Sequence, residues 1–358
     1  MSKIKTKIVC TIGPSSDSIE ILQNLKEHGM TFARINMSHA DLNYLEEKLK
    51  ILSDLNINVI LDLQGAEIRT GITKDATFLE KDKLVQLVDN SCIGSSSSVS
   101  FRTSWVLNQL KKDQILNIDD GSIQLRVTKP FSLQNQFAEG IVIVPGKLGN
   151  FKTVSINADL NAPVLSELDL KAVRLAMRFG VRYVALSFVK NHKDIQQLRN
   201  ICGGKMNIIS KIEHRESLND LENIIKESDS ILIDRGDLGA EIPLEKIPLT
   251  QKIIIKKCRA LGKEVFVATH FLDSMVWKPT PTRAELNDVI NTVIDGATGL
   301  VLAKETAAGM YPVDALKMMV NLCRNAELVS ESFNESSQKQ LSANEQIINV
   351  LDKLNYLE

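Results

Sequence analysis

Residues 207–217 read NIISKIEHRES. A run of β-forming apolar residues ends in Lys211 and Glu213, opposite charges two positions apart. In a strand, side chains at that spacing share one face. Two readings are open. One is a surface ion pair at a fraying strand end, which contributes little. The other is an active site at the C-terminal tip of a buried strand.

Seven further runs have the same character: KIVCTIG (7–13), TFARINMS (31–38), NVILDLQG (58–65), RYVALSFV (182–189), SILIDRGD (230–237), EVFVATH (264–270) and GLVLAKET (299–306). Most are followed by stretches with apolar residues at helical spacing. SSDSIEILQNLKEHG (15–29) has capping residues in front, Ile19, Leu22 and Leu25 on one face, and Gly29 at the stop. HKDIQQLRNIC (192–202), PLTQKIIIKKCRALG (248–262) and TRAELNDVINTVIDG (282–296) behave alike. Apolar runs alternating with helices imply parallel strands covered on both faces. Eight such units predict an α/β fold, the (β/α)8 TIM barrel, whose catalytic groups sit at the strands' C-terminal ends.

The rhythm breaks between about 72 and 160, far too long for a βα loop. KLVQLVDN, SVSFRT, QILNID, SIQLRVTK and GIVIVPG read there as short strands, so a small inserted β-barrel lid domain is expected. The expected organisation is barrel over 1–71, lid over 72–160, barrel over 161–329, and a polar tail with a surface helix over 330–358. The stretch GPSS (13–16) is either a phosphate cradle or a tight turn with an N-cap.

Bulk properties narrow the function. Lys and Arg number 43 against 44 Asp and Glu, so no global field favours nucleic acid or an anionic membrane. Five dispersed cysteines without a CxxC argue against a disulfide framework and for a reducing, cytoplasmic setting. No apolar stretch reaches the length of a membrane span. No GxxxxGK[ST] or GxGxxG appears, and no His/Cys cluster has zinc spacing.

Charged and polar residues gather where the runs stop: Arg34, Asn36, Ser38 and His39; Asp62, then Glu67 and Arg69; Lys211 and Glu213; Asp234, Arg235 and Asp237; Thr269 and His270; Lys304, Glu305 and Thr306. In a barrel these tips converge on one mouth. Glu213 and Asp237, from neighbouring strands, suit one hard cation such as Mg²⁺, which takes one or two carboxylates. With Lys211, Arg34 and Arg69 the set suits an anion whose charge shifts during reaction, most simply a phosphoryl group. His39 and His270 have either an acid–base role or a packing role at the rim.

TKIVCTIGPSS (6–16), GMTFARINMSHA (29–40), GAEIRTG (65–71), SKIE (210–213), RGDLGAEIP (235–243), ATHFLDSM (268–275), PTPTRAELNDV (279–289) and ETAAGMYP (305–312) together resemble the pyruvate kinase family, in its order. The insertion falls where that family carries its mobile lid. The resemblance implies the glycolytic transfer of a phosphoryl group from phosphoenolpyruvate to ADP, giving pyruvate and ATP. It implies that Glu213 and Asp237 hold Mg²⁺ (or Mn²⁺), that Lys211 stabilises the transferring group, and that Arg34 binds phosphate. Asn36, Ser38, Asp62 and the carbonyl of Leu63 match the K⁺ site, and Glu67 the acidic position that accompanies K⁺ dependence. Thr269 would sit beside the enolate carbon. Arg69, His39 and Lys152 would face the nucleotide, and the backbone of Arg235 and Gly236 the substrate's acid groups. A homodimer through barrel surfaces is expected, with no nucleic-acid or membrane partner.

The departures from the family pattern are local. Its usual Asp-Thr-Lys-Gly-Pro-Glu is Asp62-Leu63-Gln64-Gly65-Ala66-Glu67 here, and its Ser-Gly-Glu-Thr-Ala is Ala303-Lys304-Glu305-Thr306-Ala307. Its Gln-Met is His270-Phe271, its Asn-Gln after the metal glutamate is His214-Arg215, and Asp234 stands where a small residue is usual. The family's C-terminal domain has no counterpart in the sequence, so its effector control is expected to be absent. Besides the usual kinase, the departures leave open a specialised relative with Lys304 and His270 lining a changed pocket for another phosphorylated or enolic acid. A metal-dependent C–C lyase and a non-catalytic ligand-binding relative also stay open.

Overall fold

Eight parallel strands close into a barrel: β1 (Lys7–Thr11), β2 (Phe32–Asn36), β3 (Val59–Asp62), β4 (Tyr183–Leu186), β5 (Asn207–Ile212), β6 (Ser230–Asp234), β7 (Glu264–Ala268) and β8 (Gly299–Leu302). Each pairs with its neighbour in sequence, and β1 closes on β8 through Lys7 opposite Gly299. The structure is a computed structural model describing residues 4–338 except 66, 75, 76, 90, 120, 159 and 162. Every strand lies within one of the eight apolar runs.

The helices are α1 (Ile19–Glu27), α2 (Leu42–Asp54), α3 (Glu167–Arg178), α4 (His192–Cys202), α5 (Arg215–Asn219), α6 (Leu221–Glu227), α7 (Arg235–Glu241), α8 (Ile247–Ala260), α9 (Arg283–Asp295), α10 (Lys304–Ala307) and α11 (Pro312–Gln338). Side-chain caps start several of them: Ser18 accepts from the Ile21 amide, and Ser166, Asn191 and Thr282 each close a capping box. In α1, Leu22 and Leu25 are buried, but Ile19 is exposed. Ile19 is the first helical residue, so it precedes the stripe that meets the barrel. GPSS is a tight turn. The Gly13 amide donates to Ser16 Oγ, the Ser15 amide to the Ala307 carbonyl and the Ser16 amide to the Gly13 carbonyl, so these three donors are used internally. The tail expected from residue 330 is not separate at its start, because α11 runs across that point. Residues 339–358 lie outside the described residues.

The barrel interior explains where the chemistry sits. Val9, Phe32, Ile60, Ala185, Ile209, Leu232, Phe266, Ala268 and Val301 form its apolar core. Gly299 is required there, since a Cβ would meet the Phe266 ring at 2.3 Å. Two positions further along six of these strands, on the same face by the period of two, stand Thr11, Arg34, Asp62, Ser187, Lys211 and Asp234. All six are buried. A polar layer thus caps the apolar one at the C-terminal ends.

The second unit is Ala66–Val164, against 72–160 expected from the composition shift. Isolated bridges between Arg69 and Thr153 and between Thr70 and Phe101 draw the flanking residues into it. Its main sheet has six strands, in the spatial order Val154–Ile156, Ile115–Ile118, Ile123–Ser132, Phe137–Val144, Leu84–Val88, Ser98–Ser100. A two-stranded sheet pairs Phe78–Leu79 with Gly146–Lys147. Alternating residues such as Leu116 and Ile118, or Ile123, Leu125 and Val127, face the unit's own core.

Candidate active site

Lys211 is the hub of the polar layer. Its Nζ lies 2.6 Å from Glu213 Oε1, 3.0 Å from Ser187 Oγ, 3.5 Å from Asp62 Oδ2 and 3.9 Å from Asp234 Oδ2. The ammonium and these carboxylates are almost fully withdrawn from solvent, so the surface ion-pair reading of this stretch is overturned. Burial alone lowers the lysine's pKa, but the carboxylates of Asp62, Glu213 and Asp234 outweigh it and raise the value, keeping Lys211 charged. Arg34 Nε donates to Asp62 Oδ2 at 2.6 Å, and Nη1 to Thr11 Oγ1 at 2.9 Å. Burial pushes Asp62 upward, yet Lys211 and Arg34 together hold it below its ordinary value.

Glu213 is the opposite case. Burial raises its pKa; Lys211 opposes this, while Asp237 and Asp234 push it further up. Its Oε2 accepts from the Phe188 amide at 2.7 Å. Among the described residues its Oε1 has no aligned hydrogen bond, although the Lys211 ammonium lies 2.6 Å away. Glu213, Asp234 and Asp237 each offer a carboxylate oxygen, and these lie within 4.8 Å of one another. Hard oxygen donors around a buried, incompletely satisfied carboxylate fit a small divalent cation.

The oxygens matched to K⁺ lie at and just beyond the ends of β2 and β3. Asn36 pairs with Asp62 across the strands, and Leu63 follows. Asn36 Oδ1 accepts from the Ser38 amide at 3.0 Å, and the Leu63 carbonyl accepts from Ser187 Oγ at 2.7 Å. The end of β3 is anchored by Asp169 of α3, whose carboxylate accepts from the Gln64, Gly65 and Ser166 amides.

Thr269 follows β7 with a φ of +73°, a left-handed conformation that costs a β-branched residue energy. Two groups from α7 hold it there. The Gly236 amide donates to Thr269 Oγ1 at 2.9 Å. The Arg235 guanidinium donates through Nε to the Ala268 and Thr269 carbonyls and through Nη1 to both Asp288 oxygens at 2.9 and 2.7 Å, and stacks 4.2 Å over the Phe271 ring. The Arg235 side chain is therefore committed to bracing the β7 tip, while the expectation for the substrate pocket concerned the backbone of Arg235 and Gly236. The Gly236 amide is also engaged, by Thr269 and by Asp234 Oδ1 at 3.2 Å. His270 and Lys304 are exposed at the tips of β7 and β8, as is His39 after β2. Between them Glu305 is buried and accepts from the Leu272 and Ala303 amides, fixing both tips.

In the second unit, Arg69 Nη2 pairs with Glu67 at 2.5 Å and Nη1 donates to the Phe151 carbonyl at 2.7 Å. Lys152 pairs with Asp119 at 3.0 Å, and its amide donates to Thr70 Oγ1. Thr11, Ser187, Asp169 and the inward placement of Asp234 were not singled out from the sequence. The period of two, continued two residues past each core position, is the signal that finds all but Asp169.

A family model described as the pyruvate kinase barrel domain matches residues 3–316. The pyruvate kinase of Thermotoga maritima is 36% identical over 339 residues, covering 92% of this chain and 72% of that protein. That of Bacillus licheniformis is 37% identical over 352 residues, covering 95% of this chain and 59% of that protein. That of Dictyostelium discoideum is 38% identical over 346 residues, covering 92% and 68%. The crystal structure of Cryptosporidium parvum pyruvate kinase superposes with a TM-score of 0.85 at 34% identity, over 91% of this chain and 71% of that one. The chain thus spans only part of the length of each of these relatives.

Proposed function

The chain belongs to the pyruvate kinase family, and on that premise we propose that it transfers the phosphoryl group of phosphoenolpyruvate to ADP, giving pyruvate and ATP. One observation carries the reading: a charged, buried Lys211 ringed by carboxylates at the barrel mouth, 2.6 Å from Glu213. The phosphorus–oxygen bond of the enol phosphate breaks, a new one forms to the terminal oxygen of ADP, and the enolate carbon gains a proton. Lys211 and Arg34 are positioned cations for the phosphoryl oxygens, preorganised by Asp62 and Ser187. Glu213 and Asp237 would hold Mg²⁺ or Mn²⁺, which when bound neutralises charge on the transferring group. Thr269, braced by Arg235 and Gly236, holds its hydroxyl at a set place for the proton step. A K⁺ ion at Asn36, Ser38, Asp62 and Leu63, and nucleotide contacts from Arg69, His39 and Lys152, belong to the same proposal.

The test is pyruvate formation from phosphoenolpyruvate and ADP with Mg²⁺ and K⁺. Turnover is expected, falling by about two to three orders of magnitude in Lys211→Met. Absence of turnover in the native protein, or full activity in Lys211→Met, overturns the reading. The exposed Lys304 and His270 favour one second reading, a relative acting on another phosphorylated or enolic acid. A panel of such acids in the same assay separates the two, because only one of them should give pyruvate kinase turnover as the fastest reaction.

A further inference from the structure

Pairing of β4 stops at Leu186, opposite Ser210, although its partner β5 continues to Ile212. The two residues beyond the stop each take hold of one β5 tip side chain. Ser187 Oγ accepts from Lys211 Nζ at 3.0 Å and donates to the Leu63 carbonyl at 2.7 Å. The Phe188 amide donates to Glu213 Oε2 at 2.7 Å. An extended chain would keep the Phe188 amide in the plane of the sheet, where it pairs with backbone rather than with a side chain. The chain turns instead. Phe188 has a φ of +53°, left-handed backbone that a bulky side chain disfavours.

Such a conformation persists only where its surroundings hold it. The β3 tip closes on it from one side. Gly65, itself left-handed at a φ of +63°, packs so tightly that a Cβ there would meet the Ser187 carbonyl oxygen at 2.8 Å. The Leu63 amide donates to the Ala185 carbonyl at 3.0 Å, two residues before Ser187. On the β5 side the Phe188 bond is charge-assisted, an amide on a fully buried carboxylate, which is the strong kind of hydrogen bond. Its effect on Glu213 is directional. Oε2 is held by the amide, and Oε1 is the oxygen 2.6 Å from the Lys211 ammonium. A carboxylate anchored through one oxygen is restrained from swinging, so the direction of the other is set.

We propose that the left-handed turn at Phe188 is a positioning device for Glu213: its amide fixes Oε2, so Oε1 is the oxygen presented to the divalent cation. This rests on the cation reading of Glu213 and Asp237 given above. The competing role is a chain reversal into α4, in which the amide only adds stability and the ring only fills space. Replacing Phe188 by its α-hydroxy acid, phenyllactic acid, turns the amide into an ester: the ring stays and the donor goes. Phe188→Gly does the reverse, keeping the donor and suiting left-handed backbone. Ile208, near the start of β5, supplies the control, because its amide also donates to a carboxylate, Asp229 Oδ2, at 2.7 Å.

The experiment is Mn²⁺ titration of the substrate-free, full-length protein, with free Mn²⁺ followed by electron paramagnetic resonance. Thermal unfolding of each metal-free form runs beside it. The Phe188 ester is expected to raise the Mn²⁺ Kd by about tenfold. The Ile208 ester should lower the thermal midpoint comparably and leave the Kd native. Phe188→Gly should also leave the Kd native. A native Kd in the Phe188 ester, with binding lost in Glu213→Gln, overturns this inference and leaves the cation reading standing. A rise of equal size in both esters reports general weakening of the fold, and a rise in Phe188→Gly as large as in the Phe188 ester assigns the effect to the ring; either result overturns the inference. A native Kd in Glu213→Gln removes the cation reading itself, and this inference with it. Should the Phe188 ester not fold, hydrogen exchange of the native protein decides. The Phe188 amide, followed through nitrogen-labelled phenylalanine, is expected to stay protected when Mg²⁺ is added, and loss of its protection overturns the inference.

Discussion

Thr269 is a strained residue at the mouth, and its neighbours show how single side chains hold a reactive geometry. A φ of +73° at a β-branched residue costs about 1–3 kcal/mol. The Arg235 bonds from Nη1 to Asp288 and from Nε to two carbonyls offset that cost. A lysine is a point charge on a flexible stem and cannot reproduce the planar guanidinium that reaches Asp288 and two carbonyls through separate nitrogens, or the stacking on Phe271. Arg235→Lys is therefore expected to lower stability by about 2 kcal/mol, read as the urea midpoint. It should lower kcat more than it changes KM, since it frees the Thr269 hydroxyl rather than a binding group. A KM rise at constant kcat would instead make Arg235 a direct substrate contact. Arg235 was legible in the sequence as a charged residue at a strand tip, but its direction was not. Asp288 is more than fifty positions away on α9, and only the packed fold brings the two together.

At the scale of elements, the site depends on strand ends being fixed by helices that follow other strands. Asp169 illustrates this: it closes the capping box of α3 and also accepts from the Gln64 and Gly65 amides after β3. One buried carboxylate thus satisfies donors of two elements and pins the turn beside Asp62. Asp169→Ala leaves those donors unpaired and is expected to cost about 3 kcal/mol, measured by denaturant unfolding. If the loss were below about 1 kcal/mol, the contact would be worth no more than an exposed ion pair. The capping box is readable from Ser166 and Asp169. The second function of Asp169 is not, because nothing local in SELD announces a partner a hundred residues earlier. The eight strands themselves were legible, since each is a short apolar run bounded by turn residues and followed by a helical pattern. The inserted unit's strands were also visible as alternating runs, while its edges were displaced by bridges that join residues far apart in sequence.

For the whole molecule, a cation that binds only the folded mouth couples metal to global stability. At a hundred times its Kd, such a ligand adds about 2.7 kcal/mol. Mn²⁺ is therefore expected to raise the thermal midpoint by a few degrees, and a chelator to reverse it. Glu213→Gln should show no such shift; a shift of native size in that variant would place the ion elsewhere. The sequence by itself determined the barrel, the two-residue spacing that points Lys211 and Glu213 inward, and the chemical kind of each strand tip. Those are local properties, because the facing of a side chain follows from the period of its own strand. Only the tertiary structure decided which tips share one buried volume. Closure of the sheet places Asp62, Ser187, Lys211 and Asp234 around one point, although they come from segments far apart along the chain. Their mutual desolvation and charge then set which proton each keeps, and this is a property of the assembled mouth rather than of any one strand.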